Sequence, residues 1–266
     1  MPELSSLFPR RSVGLAGLVV LLVLPAALAG CGRSGSAPPA PAAPAAPVVT
    51  RPAAPVDGPV TLGAAPAYVA LARTDVTVRS KPGGGALVGL FPQQLGWNTT
   101  TSFLVRQARR VGGKVWYQVQ LPRRPNQASG WVRADQTQLA PLVWRVDVSL
   151  THHQASLVHN GRLVRAFTVA VGQPGTPTPT GAFYLMFKLH PPQISRVYGA
   201  FALGLAAWSN VLNQFGTGDG QIALHGTANT WELGHDVSHG CVRFDNEAIT
   251  YLAGVLPIGT PVTIHA

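Results

Sequence analysis

The stretch Leu224-His225-Gly226-Thr227, followed after a loop by Val237-Ser238-His239-Gly240-Cys241-Val242-Arg243, brings one cysteine together with two histidines. Acyl transfer through a thiol needs a thiolate, a base that generates it, and N–H donors for the charge on the tetrahedral intermediate. His225 can lower the thiol pKa and carry the proton. Gly240 permits close approach of a substrate and lets the Gly240 and Cys241 amides point into one oxyanion hole, each donor being worth about 10²-fold or more in rate. His239 either tunes the thiolate and oxyanion or hydrogen-bonds its own loop. Ser238 is placed to orient its neighbours, and Thr227 to fix the ring of His225. Arg243 either binds a substrate carboxylate or forms an ion pair with Asp245 or Glu247. Tyr198, Trp208 and Trp231 are candidates for pocket walls, with burial in a core as the alternative.

Only two cysteines occur in the 266 residues, and the other stands near the N-terminus. Residues 1–30 read as a secretory signal: Arg10-Arg11 precede an apolar run from Val13 to Leu28 that falls short of the about 20 residues of a membrane span. Leu28-Ala29-Gly30-Cys31 resembles the lipobox of bacterial lipoproteins, which implies cleavage after Gly30 and a lipid on Cys31. Cys241 then has no disulfide partner. A lone thiol outside the cytoplasm is open to oxidation, so either its chemistry is wanted or it is buried and inert, and both readings stand on this evidence alone.

The formal charge of +10 becomes +9 once Glu3, Arg10 and Arg11 are removed, leaving 18 basic and 9 acidic residues. Such a balance favours polyanionic surroundings. For an exported chain these are wall polymers, phospholipid head groups or peptide carboxylates rather than nucleic acid, with a merely solubilising surface as the plain alternative. The expected location is the cell envelope, outside the cytoplasm.

Residues 31–66 are dominated by Ala, Pro, Gly and Ser and are expected to be a disordered linker, reaching at most roughly 100 Å if extended. Residues 67–140 show short strands at Tyr68–Leu71, Val76–Arg79, Leu87–Leu90, Val115–Leu121 and Gly130–Arg133. Thr77 to Pro82, Trp116-Tyr117-Gln118-Val119 and Gly130-Trp131-Val132 resemble bacterial SH3-like domains, which implies a small barrel that in wall enzymes often binds peptidoglycan. Trp116 and Trp131 serve either such a groove or the barrel core. In residues 141–266 strands are expected at Val146–Leu150, Ser156–His159, Leu163–Val171, the last of these buried, and Ala182–Phe187. One helix is expected at Asn246–Leu252, capped by Asp245 and ending at Gly254. The fold class is therefore mainly β, a small SH3-like barrel followed by a β-rich domain with one short helix.

His225-Gly226-Thr227, then Ser238-His239-Gly240-Cys241-Val242-Arg243 with sixteen positions from His225 to Cys241, closely resembles the signature of YkuD-type L,D-transpeptidases. Thr178-Pro179-Thr180-Gly181 is similar to that family's Thr-Pro-Thr-Gly loop. The resemblance implies that Cys241 attacks a peptidoglycan stem tetrapeptide, expels D-alanine and holds a thioester. An amine of a neighbouring stem then resolves it, giving a 3→3 cross-link, with His225 moving the protons and no cofactor required. Water or a protein amine as acceptor would make an L,D-carboxypeptidase or a protein-to-wall ligase. Two further readings compete: a zinc site from His225, His235, Asp236, His239 and Cys241, though no His-Glu-x-x-His motif is present, and a catalytically silent wall-binding lipoprotein.

Overall fold

The computed structural model describes residues 56–95, 99–190, 197–214 and 218–266. The signal peptide, Cys31 and most of the expected linker lie outside the described residues. The chain is mainly β, built on two eight-stranded sheets with one α-helix among the described residues.

The first sheet contains β1 (Gly58–Val60), β2 (Ala67–Ala72), β3 (Val76–Lys81), β4 (Gly84–Phe91), β7 (Ser102–Val111), β8 (Lys114–Gln120), β9 (Ser129–Arg133) and β10 (Thr137–Leu142); two short strands, β5 (Gln94–Leu95) and β6 (Thr99–Thr100), pair with each other. Its order is β10-β2-β7-β8-β9-β3-β4, with β1 added against β7, and it curls into a barrel-like sheet. Phe103, Val119, Val78 and Val132 fill its interior. Trp116 and Trp131 are both buried, each 7 % exposed. The expected linker runs to Pro66, yet β1 lies inside that stretch. Val60 and Leu62 pack on the barrel core, and the Asp57 carboxylate accepts the Gly112 N–H at 3.0 Å, which orders this segment despite its composition.

The second sheet runs β13-β12-β11-β20-β15-β16-β17-β19. Its strands are β11 (Trp144–Ser149), β12 (Gln154–His159), β13 (Arg162–Thr168), β15 (Gly181–Leu189), β16 (Ala202–Trp208), β17 (Gln221–Thr227), β19 (Val242–Asp245) and β20 (Pro261–His265), while β14 (Val171–Gly172) pairs in parallel with β18 (Asp236–Ser238). Helix α1 (Asn246–Val255) buries Ala248, Ile249, Leu252 and Ala253 in the core of this sheet, and Asp245 caps it by accepting the Ala248 N–H at 2.7 Å. The helix passes the expected stop at Gly254 and ends at Val255, because Pro257 forces Leu256 into an extended conformation.

Burial at Leu163–Val171 is corrected. Strand β13 is an edge strand with Leu163 65 % and Val164 48 % exposed, and only its end, followed by Val169 to Val171, turns inward.

A third apolar cluster joins the sheets, with Val69, Leu104 and Leu142 from the first and Tyr184, Met186, Ala206 and Trp208 from the second. Polar contacts lock this seam. The buried Tyr184 hydroxyl donates to Ser102 O at 2.9 Å, and the Gln120 side-chain amide donates to Ala182 O at 3.0 Å. From the loop after β8, Arg124 donates to the carbonyls of Ser209, Leu212 and Asp219, and Asn126 bonds both N and O of Trp208.

Candidate active site

Strands β17 and β19 run parallel, with Leu224 opposite Val242 and His225 opposite Arg243. Side chains two residues apart in a strand share a face. Cys241, just before β19, therefore lies beside Ala223, and Cys241, Arg243, Ala223 and His225 project from one face. The Ala223 N–H donates to the Cys241 sulfur at 3.4 Å, which ties the thiol to the strand that carries the histidine.

His225 is 3 % exposed, and its Nδ1 lies 2.8 Å from the carbonyl oxygen of Gly226. A carbonyl only accepts, so Nδ1 carries the proton and Nε2 holds a lone pair. Burial pulls its pKa down from 6.5 to about 4, against the Gly226 hydrogen bond, which raises it, with the Arg243 cation lowering it further. The ring is a neutral base at neutral pH. Burial also pushes the half-buried Cys241 thiol up, opposed by the Ala223 N–H and the Arg243 cation. The resting pair is thus thiol and neutral imidazole, an arrangement that forms its thiolate by proton transfer during attack.

Two braces hold this face. Arg243 forms an ion pair at 2.8 Å with Glu232, which is itself buried. Burial raises the Glu232 pKa, but hydrogen bonds from Arg243, Asn229 and Thr227 outweigh it and hold the carboxylate below its ordinary value. Arg243 therefore does not pair with Asp245, which caps α1, or with Glu247, which lies 3.7 Å from Arg165. Thr227 donates to Glu232 at 3.2 Å and accepts from Asn229 N–H, so the ring of His225 is held by Gly226 O and by Tyr198 rather than by Thr227. Tyr198 meets the imidazole edge-on, with centroids 5.5 Å apart.

The second brace is the turn before Cys241. The Ser238 hydroxyl donates to Cys241 O at 2.6 Å and accepts the Gly240 N–H at 3.0 Å. Ser238 is the organiser of this turn, and it takes the Gly240 amide for itself. The expected pairing of the Gly240 and Cys241 amides in one oxyanion hole is corrected accordingly. Gly240 is required for its backbone, with φ at +117°, a region that side chains disfavour. Beneath the turn, Gln173 N–H and the Thr176 hydroxyl both donate to Ser238 O, and Thr178 accepts the Gly172 N–H at 2.8 Å. The proline-rich loop is thus a strut for the cysteine turn.

The other expected residues separate. His239 is exposed at the turn. Trp208 is core, its Nε1 donating to Asp219, and Trp231 is 69 % exposed. Among the described residues no three of His, Cys, Asp or Glu gather closely enough to share a metal ion, and Asp236 turns instead to His153 Nε2 at 2.8 Å.

Comparison with known proteins matches the same region. The family model of the YkuD L,D-transpeptidase catalytic domain covers residues 144–264. A Bacillus licheniformis protein named "Putative L,D-transpeptidase YkuD" is 31 % identical over 154 residues, which is 55 % of this chain and 85 % of that protein. The chain belongs to the YkuD L,D-transpeptidase family. The Bacillus subtilis protein of the same name is 33 % identical over 122 residues, 46 % of this chain and 66 % of its own length. A crystal structure of an L,D-transpeptidase from Mycobacterium tuberculosis H37Rv shares 16 % identity over 72 % of this chain and 77 % of that one, at a TM-score of 0.40, too low to carry residue assignments.

In this YkuD-family chain, the residues that sequence reasoning misses are second partners. Glu232 is missed because nearer carboxylates follow Arg243 in sequence. The signal that points to it is its place as one of two acidic residues between His225 and Cys241. Asn246 is missed as an ordinary first helical residue, yet its carboxamide oxygen accepts the Ala200 N–H at 2.8 Å and packs against Gly226, where a Cβ would come within 2.3 Å of it. Gly226 is a glycine for that contact, and the Gly226 N–H in turn donates to Tyr198 O at 3.0 Å.

Proposed function

We propose that this chain is a peptidoglycan L,D-transpeptidase that forms 3→3 cross-links through a thioester on Cys241. The observation that carries the reading is the β17–β19 register, which sets Cys241 and a His225 with its lone pair on Nε2 on one strand face. In the first half-reaction the Cys241 sulfur bonds the carbonyl carbon of the third stem residue while the thiol proton passes to Nε2. The bond to the terminal D-alanine breaks, and the imidazolium returns its proton to the leaving amine. In the second half, the amine of a neighbouring stem loses a proton to His225, forms the new amide and releases the sulfur. A thioester conserves the acyl energy, so no ATP is needed outside the cell. The Cys241 N–H is the turn amide assigned to the oxyanion. A lipid on Cys31 and the residues that follow it would hold the enzyme at the outer side of the membrane and let it reach stem peptides in the wall.

The test is intact-mass spectrometry of the full-length protein with a disaccharide tetrapeptide, alongside Cys241→Ala, following D-alanine and cross-linked dimer. A Cys241-dependent acyl adduct followed by dimer supports cross-linking, with Cys241→Ala losing about 10⁴-fold or more of the rate. D-alanine without dimer, even with excess acceptor, would reassign the chain as a carboxypeptidase. No adduct with any stem chemistry would overturn the enzymatic reading.

A further inference from the structure

The catalytic face lies in a region of no net charge. Residues 143–266 contain six basic and six acidic side chains, whereas residues 56–142 contain ten basic and three acidic, a net +7. The excess therefore sits on the first sheet, and there it borders a groove of about 640 Å³. The groove opens between the β3–β4 turn and the β7–β8 turn, with Arg79, Lys114 and Arg133 along it, and the Asp57 carboxylate beside it is engaged by the Gly112 and Gly113 N–H groups. Arg133 is paired with Asp135, while Lys114 stands exposed at the hairpin end and the Arg79 guanidinium donates to the Gly85 carbonyl at 3.3 Å.

Two unmet polar atoms belong to residues of the same groove. Among the described residues Trp116 Nε1, on a side chain 7 % exposed, has no hydrogen-bond partner, and the buried Oε1 of Gln136 has none either, although its Nε2 donates to Asp75 O. A buried donor without an acceptor loses its hydration with nothing in return, so native structures seldom keep one without a use. Both residues line the groove together with Arg79 and Lys114, so a donor and an acceptor with no partner lie beneath a positively charged surface. The complementary ligand is an anion that also presents a hydroxyl.

We infer that this groove binds a hydroxyl-bearing polyanion, a polyol or sugar polymer linked through phosphodiesters. Arg79 and Lys114 meet the phosphates, Trp116 Nε1 donates to a ligand oxygen, and Gln136 Oε1 accepts a hydroxyl. The groove is remote from the seam between the sheets. Strand β7 leaves the seam at Ser102 and reaches the groove at Val111, a span of about 30 Å at strand rise. The site therefore holds the chain on a polymer without touching the catalytic face, and the inference stands apart from the cross-linking reading.

The experiment measures retention of the full-length protein on immobilised poly(glycerol phosphate), with inorganic polyphosphate as the polyanion that lacks hydroxyls. D-alanine release from a soluble tetrapeptide is followed in the same preparations, so failure of binding and failure of catalysis are read separately. The expected result is salt-sensitive retention, tighter than on polyphosphate. Arg79→Ala with Lys114→Ala weakens it roughly tenfold, and Trp116→Phe weakens it several-fold at an unchanged melting temperature. Arg162→Ala with Arg165→Ala removes the same charge on the edge strand β13 of the second sheet and changes retention by less than about twofold. No retention, equal retention on polyphosphate, equal weakening by the two charge-matched pairs, or full affinity in Trp116→Phe would each overturn the inference.

Discussion

The first sheet carries its charge outside and in excess, while the second balances its charge and keeps the decisive pair inside. Between the hairpin ends of β3–β4 and β7–β8, Arg79, Lys114 and Arg133 outnumber the carboxylates of Asp57 and Asp135, and salt screens these charges beyond about 8 Å at physiological ionic strength. On the candidate catalytic face, Glu232 and Arg243 are largely withdrawn from water and linked at 2.8 Å. Their influence is short in range and strong. Arg243 acts on both His225 and Cys241, disfavouring the imidazolium and favouring the thiolate. The contrast teaches that net charge along a chain describes what the surface attracts, whereas the chemistry of a site depends on a few charges whose sum is zero.

Breaking the buried pair tests that contrast most severely. Glu232→Gln keeps the shape but replaces one of the two oxygens that accept from Thr227 and Asn229 with an N–H donor, and it leaves Arg243 without its counter-charge. Losing one partner of a buried pair costs about 3 kcal/mol, at the low end of the usual range because Arg243 is itself about one-fifth exposed. Thermal or urea unfolding reads this loss. The same variant should make Cys241 more acidic, because an unopposed Arg243 favours the thiolate, and iodoacetamide should alkylate it faster at fixed pH. Lower stability with slower alkylation would contradict the assigned role of Arg243.

Acid distinguishes the regions next. The folded-state pKa of His225 lies at about 4, below its ordinary 6.5, so the unfolded chain binds the proton first. Stability from this group is complete above pH 6.5 and declines as pH falls toward 4, by about 3 kcal/mol in all. Glu232, also held low, adds a loss that begins only below the ordinary carboxylate value. Urea midpoints should therefore drop between pH 6.5 and 4.5 in the native protein, and His225→Gln should flatten that interval. A flat native profile would mean that the ring is not buried neutral.

The seam offers a smaller effect. Tyr184→Phe removes the hydroxyl that donates to Ser102 O and leaves a buried carbonyl short of a partner, at a cost of about 1–2 kcal/mol. Since the contact joins the two sheets, unfolding should stay a single transition at a lower midpoint. Two separated transitions would show that the sheets do not fold as one unit.

What was readable in the sequence follows the same division between periodic pattern and distant partner. His225 and Cys241 were legible because their residue types suit acyl transfer through a thiol and their motifs, sixteen positions apart, resemble the YkuD signature. Val76–Arg79 was legible because period-2 alternation survives in a strand with one covered face, and Val115–Leu121 because its β-branched and aromatic residues favour a strand even though both of its faces are largely covered. Strand β7 was not: Arg106 and Gln107 interrupt the alternation where its register against β8 shifts. Strand β16 was hidden for the opposite reason, since all seven residues from Ala202 to Trp208 are buried and an unbroken apolar run has no period to read. The use of the Gly240 amide by Ser238 and the choice of Glu232 over Asp245 or Glu247 depend on turn geometry and packing that spacing does not encode.

Strand β13 gives the smallest prediction and the clearest instance of that limit. Leu163 sits in an apolar segment that reads as buried, but β13 pairs on only one side, with β12, and Leu163 is 65 % exposed. Leu163→Lys should change unfolding free energy by less than about 0.5 kcal/mol, since a surface substitution away from caps, cores and ion pairs removes little. A charge there also suits an unpaired strand edge, where Lys discourages pairing with a second chain. The variant should therefore match the native melting temperature and aggregate less on heating. A loss of several kcal/mol would return Leu163 to a core and require another chain or segment to cover β13.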